Sequence, residues 1–247
     1  MPDNYWIGRI GVKIYLHSEF TSVIKDSVSI SAIDAIPTDV SWDGEEVPWI
    51  GYSGTKMYLS SGVSATLRDS QSVTDGVPSG ISWDGTNTPW CGSGDGRIRK
   101  TEGQFTSTIL TSVSVTAIDN SPQGNSSDGT NVPWSGISDQ KLYLQDEYST
   151  ALLNSVSVGS IDGGCRGISW DGTGKIPWCG MSDDKLYLQS GFTSVVTDSV
   201  DVSATDGWPA GIETSDNDGR LGISAIPAIR YNPIPFPSPS TIEVLAY

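Results

Sequence analysis

Five tryptophans, Trp6, Trp49, Trp90, Trp134 and Trp178, recur along the chain at separations of 41 to 44 residues, and each brings the same neighbours with it. Nine residues after each stands Tyr15, Tyr58, Arg99, Tyr143 or Tyr187, with no slippage. The segments around those positions read KIYL, KMYL, RIRK, KLYL and KLYL. Next come Phe20, Val63, Phe105, Tyr148 and Phe192, and then the alternating runs SVSI, SQSV, SVSV, SVSV and SVDV. Ahead of four of the tryptophans lie VSWDGEEVPWIG, ISWDGTNTPWCG, NSSDGTNVPWSG and ISWDGTGKIPWCG. A fixed period of this size means that each unit is one supersecondary element, able to bury its apolar face only against its neighbours.

Within a unit the apolar period is two rather than 3.6, which excludes a helical solenoid. Four short strands are expected: GISW, PWCG, KLYL and the Ser/Val alternation, with Asp-Gly as the hairpin signal between the first two. Four antiparallel strands at a pitch just over forty residues is the dimension of a propeller blade. The expected fold is therefore all-β, a five-bladed β-propeller. Its repeat units run over about 6–48, 49–89, 90–133, 134–177 and 178–222. The chain enters on a second strand at Trp6 and leaves on a first strand near 211–216, so pairing of the two ends closes the ring and removes its sheet edges. The segment RLGISAI at 220–226 competes for the place given to Trp6–Gly8.

The blade GISWDGTNTPWCGSGDGRI resembles the WDG-containing repeats of NHL-like propellers. The count of five near-identical blades is similar to the tachylectin type of propeller lectin. The resemblance covers residues 5–222 and implies a fold; no Gly-His partner of the WD-repeat kind is present, and no sugar-contacting residue carries over position by position.

The formal charge of −15 opposes contact with nucleic-acid phosphates or anionic lipid, so neither nucleic acid nor membrane insertion is expected. The N-terminal stretch has Arg9 and Lys13 inside its only apolar run, so no signal peptide is read, and no run reaches transmembrane length. Three cysteines are too few for a disulfide framework and wrongly spaced for zinc. A hairpin over 167–179 brings Cys165 and Cys179 toward bridging reach, with free thiols as the expectation.

A position filled alike in every blade is a packing position, and the PWCG tryptophans are read so. Trp42, Trp83 and Trp170 differ, because Ser127 and Thr214 take their place in the other units. A Trp face beside Asp43, Asp84, Asp171 and Asn87 is suited to a sugar ring, with stacking for affinity and hydrogen bonds for orientation. The alternative is that these indoles fill gaps beside the innermost strands. The carboxylates before the turn glycines, Asp43, Asp84, Asp128 and Asp171 with Asp216 or Asp218, either ring a channel mouth and hold a cation or bond their own turns. Asp216 and Asp218 form a fragment of a calcium loop without its distal Glu. His17 is the only histidine, at a strand end where other units carry Ser60, Gln145 and Gln189, and no GxSxG context exists. Arg97, Arg99 and Lys100 make a small basic spot in the third unit, either a partner contact or a solvated outer face.

Five prolines between 227 and 239 impose an extended path on the C-terminal arm, and TIEVLAY then offers an apolar strand. Residues 227–247 are expected to pack on the ring or to add a strand to another subunit or a virion partner. Together these features point to a non-enzymatic, cofactor-free binding or adhesion propeller. It would present inter-blade sites to a glycan or a protein surface, and by analogy it fits a phage virion surface or tail protein. The second expectation is a purely structural decoration or spacer anchored by the arm.

Overall fold

The computed structural model describes residues 3–74 and 76–215. They form twenty strands in five four-stranded antiparallel sheets. The innermost strands are β4 (Pro37–Val40), β8 (Pro78–Ile81), β12 (Pro122–Asn125), β16 (Cys165–Ile168) and β20 (Pro209–Thr214). Outward from them lie β5 (Val47–Gly51), β9 (Thr88–Gly92), β13 (Val132–Gly136), β17 (Lys175–Gly180) and β1 (Asn4–Gly8). The third layer is β6 (Lys56–Ser60), β10 (Arg97–Thr101), β14 (Lys141–Gln145), β18 (Lys185–Ser190) and β2 (Lys13–His17). The rim is β7 (Leu67–Ser72), β11 (Ile109–Ser114), β15 (Leu152–Ser157), β19 (Val196–Asp201) and β3 (Ile24–Ser29).

Blade 1 has the order β20-β1-β2-β3 and so combines the two ends of the described chain, with Trp6 opposite Ile212 and Asn4 opposite Thr214. Blades 2 to 5 are β4–β7, β8–β11, β12–β15 and β16–β19 in sequence order. The inner strands touch in the cycle β4, β8, β12, β16, β20 and back to β4, so the ring is closed. The innermost strands begin earlier than the GISW segments and stop before the tryptophan. In blade 3 the ladder continues only to Ser82, whose N–H bonds the Pro89 carbonyl, and the Asp84 N–H then bonds the Asn87 carbonyl to make the turn. The glycine after each aspartate has φ between 72° and 103°, the left-handed backbone that the turn needs. Segments 216–226 and 227–247, with Asp216 and Asp218, lie outside the described residues.

The repeated tryptophans are the seams between blades. Trp6, Trp49, Trp134 and Trp178 lie directly opposite Tyr15, Tyr58, Tyr143 and Tyr187 on the next strand, and the rings stack at 4.2–4.3 Å. Such pairs add about 0.5–1.5 kcal/mol beyond the area they bury. Blade 3 replaces Tyr by Arg99, whose guanidinium lies 4.5 Å from the centre of the Trp90 ring and pairs with Asp95. Arg99 is only 3% exposed, so this member of the supposed basic spot is a core residue. Its neighbours divide: Arg97 is exposed and bonds the Ser112 hydroxyl, and Lys100 sits over the Tyr148 ring. The side chains at Phe20 and Phe105 close the seams from the neighbouring loops.

The axis is closed by backbone. Gly80, Gly124, Gly167 and Gly211 occupy one tier of the inner strands. A Cβ on Gly80 or Gly124 would lie 2.7 Å from the next blade's glycine Cα, and on Gly167 2.5 Å. Asp39 holds the fifth position of this tier and is fully buried. Its carboxylate accepts N–H bonds from Val40 and, across the seam, from Ile81. Burial outweighs those bonds and, with the charge of Glu213, pushes the Asp39 carboxyl well above its ordinary range. Further along, Glu213 of blade 1 accepts from the hydroxyls of Ser41 and Ser169, tying the inner strand of blade 1 to its neighbours, blades 2 and 5.

Candidate functional site

The inner strands finish at one end of the ring in the Trp-Asp-Gly turns, so this end gathers most of the candidate residues. Each aspartate first serves its own turn. Asp43 accepts from the Glu45 and Glu46 N–H groups, Asp84 from Thr86 and Asn87, Asp128 from Thr130 and Asn131, and Asp171 from Thr173 and Lys175, through Oδ1 in every case. The turn role expected of an Asp-Gly pair is thus present at all four. Among the described residues no three His, Cys, Asp or Glu side chains are placed to hold a metal ion.

The second carboxylate oxygens distinguish the blades. Asp43 Oδ2 accepts from the Gln104 amide of blade 3, Asp128 Oδ2 from Asn131, and Asp171 Oδ2 from the Thr173 hydroxyl. Asp84 Oδ2 has no hydrogen-bond partner among the described residues. Asp84 faces the seam between blades 3 and 4, where Tyr148 takes the place held by Phe20 and Phe105 in other blades. The Tyr148 hydroxyl is buried without a partner, and burial together with the Asp84 charge pushes its pKa well up. Tyr148 also lines an open depression of about 730 Å³ with Lys100, Leu110, Thr111, Asp146, Glu147 and Ser149.

The three indoles are half-buried. Trp42 stacks on Tyr5 at 4.7 Å and packs on the core of blades 1 and 2, so one of its faces is committed to the fold. Trp170 packs on the core shared by blades 4 and 5. Trp83 belongs to none of the core clusters, and it immediately precedes Asp84 in the turn of blade 3. Asn87 is half structural: its Oδ1 accepts from the Gly103 N–H, and its amide nitrogen donates to no described residue.

Other chemistry-bearing side chains are sealed into the blades. His17 is buried, its Nδ1 bonded to the Thr21 carbonyl and its ring edge-on to Trp6, and burial lowers its pKa. Gln145 and Gln189 make the equivalent bond to Ser149 and Thr193, so the histidine replaces a structural amide. All three cysteines are free and buried, with burial pushing Cys91 and Cys165 up to about 12. Cys165 and Cys179 do not bridge. Cys165 is opposite Gly180 and bonds Gly136, whereas Cys179 faces Gly167 in a different seam.

A second set of aspartates escaped the sequence reading. Asp34, Asp119, Asp162 and Asp206 precede the inner strands and are nearly buried. Each accepts from backbone N–H groups of its own loop or of the turn joining the second and third strands of the same blade. Asp206 ties Ile10, Gly11 and Tyr15 to the closing strand. Their recurrence three residues ahead of the first inner-strand residue, Pro37, Pro122, Cys165 or Pro209, was visible, but their role needed the fold.

No family model matches the chain, and no curated protein does. Solved structures do. A glutaminyl cyclase from Myxococcus xanthus matches with a TM-score of 0.58 and 11% identity over 80% of this chain and 95% of that one. A nidogen/laminin complex gives a TM-score of 0.60 at 11% identity over 87% and 98%. A protein of unknown function from Bacteroides caccae gives 0.58 at 12% over 86% and 98%. At these identities the likeness establishes the propeller fold and nothing finer.

Proposed function

We propose that this propeller is a non-catalytic binding module, and that its ligand seat is the Trp83–Asp84 turn of blade 3, taking a neutral glycan. One observation carries the choice of turn. Of the four turn aspartates described, Asp84 alone keeps a carboxylate oxygen without an internal partner, and the same turn carries the half-buried Trp83 and the Asn87 amide nitrogen. An indole face supplies stacking for the apolar side of a sugar ring, while a carboxylate and an amide supply an acceptor and a donor for its hydroxyls. The non-catalytic reading is supported by the way His17 and the three thiols are enclosed with structural partners.

A glycan array tests it. Binding should appear and should fall about tenfold or more in Trp83→Ala and in Asp84→Asn, the loss expected when about 1.4 kcal/mol of stacking or hydrogen bonding is removed. Asp84→Asn retains the turn acceptor, so its melting temperature should stay at the wild-type value. A blank array, or binding that survives both substitutions, overturns the proposal.

A further inference from the structure

The opposite end of the ring, where the inner strands begin, departs from the repeat at two neighbouring places. Arg166, second residue of β16, stands where the other blades carry Thr38, Ser79, Gln123 and Ala210. Arg9, directly after β1, stands where they carry Tyr52, Ser93, Ile137 and Met181. Both flank the start of β20. Gly8 pairs with Pro209, and a Cβ on Gly167 would meet Gly211. Arg9 and Arg166 therefore stand on adjacent blades at one mouth of the ring, in a chain of net charge −15.

Neither arginine has an acidic partner among the described residues. Arg166 donates through Nη1 to the Gln123 side chain, and its buried Nε donates to nothing. Arg9 is held by its backbone N–H on the Trp208 carbonyl, 3.2 Å away. Carboxylates at this end are engaged elsewhere. Asp206 serves Ile10, Gly11 and Tyr15, Asp162 serves Gly164, Ser182 and Asp183, and Asp184 accepts from the Trp208 N–H. Burial, and after it the charge of Arg9, lower the pKa of Arg166.

The same mouth carries an exposed apolar rim. Ile10 is 66% exposed, Trp208 51% and Tyr52 48%. Trp208 has φ 58°, a left-handed backbone that is unfavourable for a bulky residue. No described residue at the matching position of the other blades, Ile36, Val77, Ser121 or Gly164, does so. Strain of this kind persists where the surroundings impose it, and it gathers at ligand sites.

We propose that this mouth is a binding site for a small oxyanion, a carboxylate or phosphate group, clamped between Arg9 and Arg166 with Tyr52 and Trp208 beside it. The planar guanidinium fork matches two oxygens of such a group at once, and partial burial strengthens each bond. The site is independent of the glycan seat at the Trp83–Asp84 turn, at the other end of the ring.

Calorimetric titration at fixed ionic strength in chloride tests it, with inorganic phosphate, glucuronate and glucose as probes. At least one anion should bind at one site per chain, and glucose should not. Phosphate alone, or glucuronate alone, identifies which oxyanion source the site prefers. Arg166→Met and Arg9→Met should each weaken binding about tenfold or more. Arg166→Lys should not restore it, because an ammonium lacks the fork. Circular dichroism checks that each variant is folded; should Arg166→Met fail to fold, Arg9→Met decides alone. Absence of binding by both anions, or binding unchanged in the folded arginine variants, overturns the assignment.

Discussion

Replacing Gly167 by alanine tests the axis where it is tightest. The new methyl would sit 2.5 Å from the Gly211 Cα and 2.6 Å from the Ile212 nitrogen, both main-chain atoms of the neighbouring inner strand. Carbon atoms rest at about 3.5–4.0 Å, so two strands must separate by roughly 1 Å. No flexible side chain lies in between to absorb this, and in a closed ring the displacement passes to every seam. Overpacking costs about 1–3 kcal/mol where side chains can move, so about 3 kcal/mol is the expected minimum here. For a domain of this size that lowers the melting temperature by about 6–12 °C. Gly103→Ala is the control. Its Cβ meets nothing within 4 Å, and only its φ of 59° is unfavourable. It should cost about 1–2 kcal/mol, or about 2–8 °C. Thermal unfolding by circular dichroism measures both. A Gly167→Ala protein that melts within a degree or so of the wild type, or no lower than Gly103→Ala, would show that the inner strands are not in contact as described.

Three further outcomes are expected. The Asp39 carboxyl is raised above its ordinary value of 3.8, so its contribution to stability is fullest below that pH and is lost as pH rises toward the folded value. The melting-temperature difference between wild type and Asp39→Gly should therefore shift against the wild type between pH 4 and pH 8, and a difference that is flat with pH contradicts the assignment. Arg99→Ala removes both the guanidinium over Trp90 and the partner of Asp95, and should cost about 2–3 kcal/mol in chemical denaturation. Arg99→Tyr restores the stack of the other four blades and should lose less than half of that, whereas equal losses would sink the equivalence. The thiols of Cys91, Cys165 and Cys179 should resist a disulfide reagent in the native protein and all react once it is unfolded, because burial disfavours the thiolate. Fast labelling in the native state contradicts that.

What the sequence showed was whatever repeats. Trp6 and Tyr15 recur nine residues apart because they face each other across a hairpin, so register, strand count and closure at blade 1 were all readable. The axis was not. Gly80, Gly124, Gly167 and Gly211 look like ordinary strand glycines until the ring sets them Cα to Cα, and Asp39 is merely one odd letter in PTDV. The turn carboxylates illustrate the same limit. Asp43, Asp84, Asp128 and Asp171 are identical as text, and only a contact 61 residues away, Gln104 on Asp43, separates a satisfied member from Asp84. Arg99 was misplaced because a charged letter in a strand suggests a surface, while stacking on Trp90 and pairing with Asp95 let it replace a core tyrosine. Arg9 and Arg166 lie far apart in the chain, and only closure brings them to one mouth.

Ring closure by residues 209–214 against residues 4–8 is most directly measured by amide hydrogen exchange in the native protein. The amides of β20 and β1 should exchange as slowly as those of β8 and β9, since all belong to sheets of one cooperative ring. Exchange of Gly211–Thr214 on the timescale of an unstructured chain, with β8 and β9 protected, would mean that the ends do not meet and the five-bladed ring is open.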